Sequence, residues 1–139
     1  MSLATAYDVL EETGAKYDDF GFSDVTTFNY WIDKKIDQVD IKIQSMVGSY
    51  YTDENSLDDL RQAEIDWVYY KMLRRKLSNL AASVESGFAL GSLRIDSTAG
   101  PTERLTEITN SYFTKARIIL ERYTSLTGCK FVIAEDIDE

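Results

Sequence analysis

Residues 57–84 read LDDLRQAEIDWVYYKMLRRKLSNLAASV. Apolar side chains recur at Leu60, Ile65, Val68, Tyr69, Met72, Leu73, Leu77, Leu80, Ala81 and Val84, in the threes and fours of an α-helix. The stripe covers so much of the circumference that the helix must be central, with neighbours on more than one side. Ser56 stands where an N-cap belongs, and Asp58 and Asp59 occupy the first turn, where the helix dipole favours negative charge. Gly87 is the expected terminator.

Upstream, a second amphipathic helix is expected over Asp24 to Val47. Val25, Phe28, Ile32, Ile36, Val39, Ile43, Met46 or Val47, and Tyr50 form its stripe, with Gly48 at its end. A short helix from Ser2 to about Glu12 precedes it, with Ser2 as cap, Leu3, Tyr7 and Leu10 on one face and Gly14 as stop. Ala15 to Ser23 reads as a loop. Downstream, Gly100-Pro101 opens a last helix, since proline at the first helical position loses no needed hydrogen bond. Leu105, Ile108, Tyr112, Ala116, Ile119, Tyr123 and Leu126 form its face, and Gly128 closes it. The expected fold is mainly α, a four-helix core of one short and three long helices. The deepest positions are expected at Ile32, Ile36, Leu73, Leu77 and Ile119, at the centres of the long stripes.

Between the last two helices lies a non-helical insert, Gly87 to Gly100. Within it Leu93 and Ile95 alternate with Ser92, Arg94 and Asp96, the period of a half-buried strand. A lone strand leaves its backbone groups unpaired. Lys130-Phe-Val-Ile-Ala134 is the other strand candidate, so the two pair either within one molecule or between molecules. The expected organisation is one helical domain over 1–128, including a β insert at 88–98, followed by an extended docking tail at 129–139. Phe131, Val132 and Ile133 would cost stability if left in water. Lys130 to Ile133 are therefore expected at an interface, as are Leu93, Arg94, Ile95 and Asp96, by adding a strand to a neighbour's edge.

The 139 residues suit a single domain that buries roughly 68% of its unfolded surface. The single cysteine, Cys129, gives no internal disulfide framework and suits a reducing compartment. No apolar run approaches the ~20 residues of a membrane helix, and Met1-Ser-Leu-Ala-Thr-Ala lacks the features of a signal peptide. The net charge of −9 is unevenly spread. Residues 1–70 carry 5 Lys/Arg against 15 Asp/Glu, residues 71–134 carry 10 against 5, and residues 135–139 add four acids. Such a split suits head-to-tail complementarity between copies or with a partner, and the acidic balance makes a phosphate backbone a poor general ligand.

The chain has no histidine, which removes Ser-His-Asp and Cys-His catalysis and histidine metal sites. One cysteine cannot build a Cys-rich zinc site. The glycines of the insert are followed by no Gly-Lys-Ser/Thr, so they do not make a phosphate loop. Asp33, Asp37 and Asp40 fall on one line of the second helix and could face a metal with oxygen ligands. Lys34, Lys35 and Lys42 surround them, and a solvated face is the simpler reading. No catalytic residue, cofactor site or metal site is therefore assigned. Lys71, Arg74, Arg75 and Lys76 form the one basic cluster. The arginine pair suits carboxylate or phosphate recognition; an exposed helix face is the plain reading, and beside it Lys71, Arg74 and Arg75 are expected to meet an acidic patch of a neighbouring copy. Tyr30 and Trp31 flank Ile32, so one of them is expected to face a partner.

Tyr17-Asp-Asp-Phe-Gly before the second helix, the insert Gly91-Ser-Leu-Arg-Ile-Asp-Ser97 and the terminal Lys130-Phe-Val-Ile-Ala134 complete a layout that resembles the head–tail connector (head-completion adaptor) proteins of tailed bacteriophages. The resemblance covers nearly the whole chain in order of elements and includes no diagnostic motif. It implies a structural assembly protein and no enzyme, with no cofactor. It implies a ring, usually of twelve copies, beneath the portal protein at the head–tail interface of a virion made in the host cytoplasm. The ring would receive a downstream connector or tail protein and continue the DNA channel without binding DNA specifically or meeting a membrane. Two other classes fit the residues. One is a soluble acidic helical regulator of a basic partner. The other is a carboxylate-only metal enzyme using Asp33, Asp37 and Asp40.

Overall fold

The computed structural model describes residues 2–81, 88–90, 93–95 and 101–127. Four helices carry the fold: α1 (Ala6–Thr13), α2 (Val25–Val47), α3 (Leu57–Ala81) and α4 (Pro101–Thr127). The expected mainly α, four-helix architecture is what forms. α3 packs against all three others, with its longest contact along α4, as its broad stripe requires. Val84 and Gly87, expected at its end, lie outside the described residues.

Helix ends follow local chemistry, with two departures. Asp24 caps α2 by accepting from the Thr27 amide at 2.8 Å. Gly14 closes α1 at φ 69°, in the left-handed region that costs glycine nothing. The cap of α1, however, is Thr5 and not Ser2. Thr5 Oγ1 accepts from the Asp8 amide and the Asp8 carboxylate accepts from the Thr5 amide, a reciprocal pair that a lone serine cannot match. Residues 2–4 are thus released from the helix, and the Leu3 and Ala4 amides are used elsewhere. At the start of α3, Asp53 accepts from the Asn55 amide and starts a 3-10 turn over Glu54–Ser56, which displaces the simple Ser56 cap.

The loop before α2 also has structure. Tyr17–Phe20 is a 3-10 turn closed by Gly21 at φ 84°. It drives Phe20 into the core, fully buried, stacked on Phe28 at 5.9 Å and edge-on to Tyr69. The backbone angle at Gly21 calls for glycine, and a Cβ there, 2.9 Å from Asn79 Nδ2, would also push aside the end of that side chain.

In the insert, Phe88–Leu90 (β1) pairs antiparallel with Leu93–Ile95 (β2), Phe88 opposite Ile95 and Leu90 opposite Leu93. Three residues a side make no β layer, and the fold is a helical bundle. The pairing corrects the expectation that only 130–134 could partner Leu93–Ile95. The nearer partner is Phe88–Leu90, two residues away in sequence. Asp96 and the remainder of 88–98 lie outside the described residues, as does the tail 129–139.

The core runs along α3. Trp67, Leu60, Met72 and Leu73 are buried against Ile32 and Ile43 of α2 and Leu105 and Leu120 of α4. Ile32, Ile36 and Leu73 are as deep as expected, but Leu77 and Ile119 are only partly buried. On α4 the inward line runs through Leu105, Thr109, Ala116, Leu120 and Thr124. A hydropathy pattern passes over the threonines, yet Thr109 Oγ1 donates to the Leu105 carbonyl at 2.7 Å and so enters the core satisfied. Val25, expected in the stripe of α2, is 53% exposed. Leu73→Ala should therefore cost about 2–5 kcal/mol, and Leu77→Ala clearly less. Chemical denaturation of the two variants checks this, and equal losses would mean that α3 presents a different face to the core.

Candidate functional site

The basic cluster faces a groove. Lys71, Arg74, Arg75, Ser78 and Asn79 of α3 line one wall, and Trp31 and Lys35 of α2 line the other, around a hollow of about 500 Å³. The spacings within α3, and the step of four between Trp31 and Lys35, put each set on one helix face. Lys35 and Lys71 are buried to the level of the core, while Arg74 is exposed.

Arg75 is the most constrained of these cations. Its Nε donates to the Phe20 carbonyl at 3.0 Å, and Asn79 Nδ2 donates to the same oxygen at 3.3 Å. Its guanidinium lies 4.2 Å from the Phe22 ring centroid and 5.3 Å from that of Trp31, and Trp31 also carries Lys35 at 5.5 Å. Desolvation lowers the Arg75 pKa, so an anion brought alongside would be welcomed. Arginine held between aromatic faces is oriented for planar recognition of a carboxylate or phosphate. Arg74 donates to the Tyr70 hydroxyl at 3.0 Å.

At the other end of α3 lies a second, acidic hollow of about 420 Å³ between α1 and the start of α3. Asp8, Glu11 and Glu12 of α1 and Asp58 of α3 line it, with Arg61 the single cation among the described residues. Arg61 pairs with the exposed Asp58 at 3.4 Å.

The third constellation is buried. Glu64 is fully enclosed and Asp40 is 5% exposed. Asp40 accepts from the Leu3 amide, from Gln44 Nε2 and from the Tyr51 hydroxyl at 2.8 Å. Glu64 Oε2 accepts from the Ala4 amide at 3.0 Å, and its Oε1 has no donor. Burial first, then the hydrogen bond to Asp40, pushes Glu64 up to about 9. Glu64 therefore keeps its proton well above the ordinary carboxylate range, and as an acid it can donate to Asp40. The pair anchors the amides of residues 3 and 4 against α2 and α3.

The three candidate aspartates do not act together. Asp33 and Asp37 are exposed, whereas Asp40 is turned to this interior work. No group of three His, Cys, Asp or Glu among the described residues could hold a metal. The structure brings Lys71, Arg74 and Arg75 together. Leu93, Arg94 and Ile95 lie in β2, and Lys130, Phe131, Val132 and Ile133 lie outside the described residues. Tyr30 is the outward member of its pair at 62% exposure, and Trp31 turns into the groove.

Sequence reasoning missed the α2 wall of the groove and the buried acid. A signal existed for each. Lys35 follows Trp31 by four residues, and Glu64 stands four residues from both Leu60 and Val68 of the apolar stripe. A charge in register with a core stripe marks a buried, partnered group. No family model matches the chain, and no curated protein or solved structure matches it either.

Proposed function

We propose that the chain is a structural assembly protein that works through its surfaces, a head–tail connector of a tailed phage. Copies would form a ring beneath a portal protein, continue the DNA channel and receive a downstream connector or tail protein. The observation that carries the reading is the placement of a basic groove and an acidic hollow at opposite ends of α3. Such a molecule can join copies of itself in series. The mainly helical order of elements and the net charge of −9 agree with a ring whose wall lets DNA pass without sticking. The insert and the tail, with Leu93 to Asp96 and Lys130 to Ile133, would add contacts to neighbours or to the portal.

The acidic hollow also favours a second reading, a regulator that binds a basic protein through α1 and the start of α3. Self-association separates the two. The connector reading expects light scattering to show multimers at low salt that dissociate as salt rises, because exposed charges are screened within about 10 Å at 0.1 M and about 3 Å at 1 M. Closed rings should be visible by electron microscopy. A chain that stays monomeric at its highest soluble concentration in low salt, or whose association strengthens steadily with salt, would refute it.

A further inference from the structure

We propose that the basic groove receives the acidic face of α1 from a second copy, so that copies join head to tail through these two surfaces. The proposal rests on the assembly reading above and names its junction. Among the described residues the groove is lined by four cations, Lys35, Lys71, Arg74 and Arg75, and by no carboxylate. Among the described residues the hollow beside α1 is lined by four carboxylates against Arg61 alone, and α1 itself contains no basic residue. Each surface gathers like charge, and each is the complement of the other.

The two cannot meet within one molecule. Asp58 and Arg74 belong to one continuous helix, and they stand about 24 Å apart along its axis at 1.5 Å per residue. The contact must be between copies, and because the patches differ it is heterologous. Repeating it yields a ring where the rotation closes and a filament where it does not. Each side also offers an anchor. Tyr7 on α1 is 69% exposed, the kind of aromatic that centres an interface. Arg74 is exposed, and its guanidinium can take a carboxylate with two parallel hydrogen bonds. The occupant is also the right size. α1 has eight residues, about 12 Å of helix, a short charged element for a groove of about 500 Å³. A nucleic acid would carry its row of phosphates past the groove and over a chain of net charge −9, at a cost in repulsion.

The test uses two variants of the full chain, each with one end disabled. Arg74→Glu weakens the groove and leaves α1 intact. The double variant Glu11→Gln, Glu12→Gln neutralises α1 and leaves the groove intact. Light scattering at low salt should show each variant alone associating about tenfold more weakly than the unmodified protein, or not at all. Their equimolar mixture should give a one-to-one dimer and nothing larger, because only one of the two possible junctions survives. A mixture that stays monomeric, or variants that assemble as the unmodified chain does, would overturn the junction while leaving the assembly reading standing. An unmodified chain that never associates would overturn the assembly reading itself. Loss of association on deleting 130–139, with both charge variants unaffected, would give the groove's role to the tail. Binding of a single-stranded DNA oligonucleotide that is abolished by Arg74→Glu would make the groove a nucleic-acid site and sink the proposal.

Discussion

Glu64→Gln should make this protein more stable at pH 8 by roughly 4–5 kcal/mol and remove most of the decline in stability between pH 5 and pH 9. The unfolded chain ionises Glu64 near 4.5, whereas the folded chain holds the proton until about 9. Below pH 4.5 both states are protonated, and the buried acid carries no penalty. Between the two values the folded state binds one more proton than the unfolded state. Stability then falls as pH rises, by about 1.4 kcal/mol per unit, and levels off above about 9. Asp66, pushed up to about 6 mainly by burial, acts in the same direction over a lower window.

Glutamine reproduces the protonated acid without its titration. Its carbonyl can accept from the Ala4 amide as Oε2 does, and its amide can donate to Asp40 as the acid proton does. At pH 5 the variant and the parent should therefore be close. Asp40→Asn should be costly at every pH, since it removes the charge that the Tyr51 hydroxyl and the Leu3 amide both address. Urea denaturation across a pH series gives the answer for Glu64→Gln. A variant with the parent's slope would place the titrating proton elsewhere.

The helices and several of their ends were legible because their causes are local. The left-handed Gly14 and the start at Pro101 follow from a few adjacent residues. The basic cluster was legible for the same reason, since Lys71, Arg74 and Arg75 share one helix face at any packing. What stayed hidden depends on which segment covers which. Asp33 and Asp40 are seven residues apart and nearly in line on α2, yet one is solvated and the other buried. The difference is the cover of residues 2–4 and Tyr51, which periodicity within α2 cannot foresee. Leu77 and Ile119 failed as core positions for a related cause. The centre of an apolar stripe in sequence is not the place where neighbouring helices close over it.

The groove was half legible for the same reason. Its far wall, Trp31 and Lys35, comes from a helix some 40 positions earlier, and its Arg75 and Asn79 are tied to the turn at Tyr17–Phe20, which reads as plain loop. The Asp-Asp-Phe-Gly string does contain the needed pieces. Two acids favour the start of a turn, glycine permits its left-handed end, and the aromatic between them is the anchor.

That anchor yields the second large expected effect. Phe20→Ala should destabilise the fold by about 3–5 kcal/mol, because Phe20 is fully buried against Phe28 and Tyr69. Its backbone oxygen also receives both Arg75 and Asn79, so loosening the turn loosens the groove. Phe22→Ala is the informative contrast. Phe22 is only partly buried, but its ring is the nearer of the two faces that hold the Arg75 guanidinium. Its loss should cost no more than about 1–2 kcal/mol of stability while weakening self-association at low salt beyond what that loss explains. Thermal melts and light scattering on both variants separate the roles. If Phe20→Ala melts with the parent, the turn does not plug the core. If Phe22→Ala assembles as well as the parent while folded, the stacked arginine takes no part in the contact between copies.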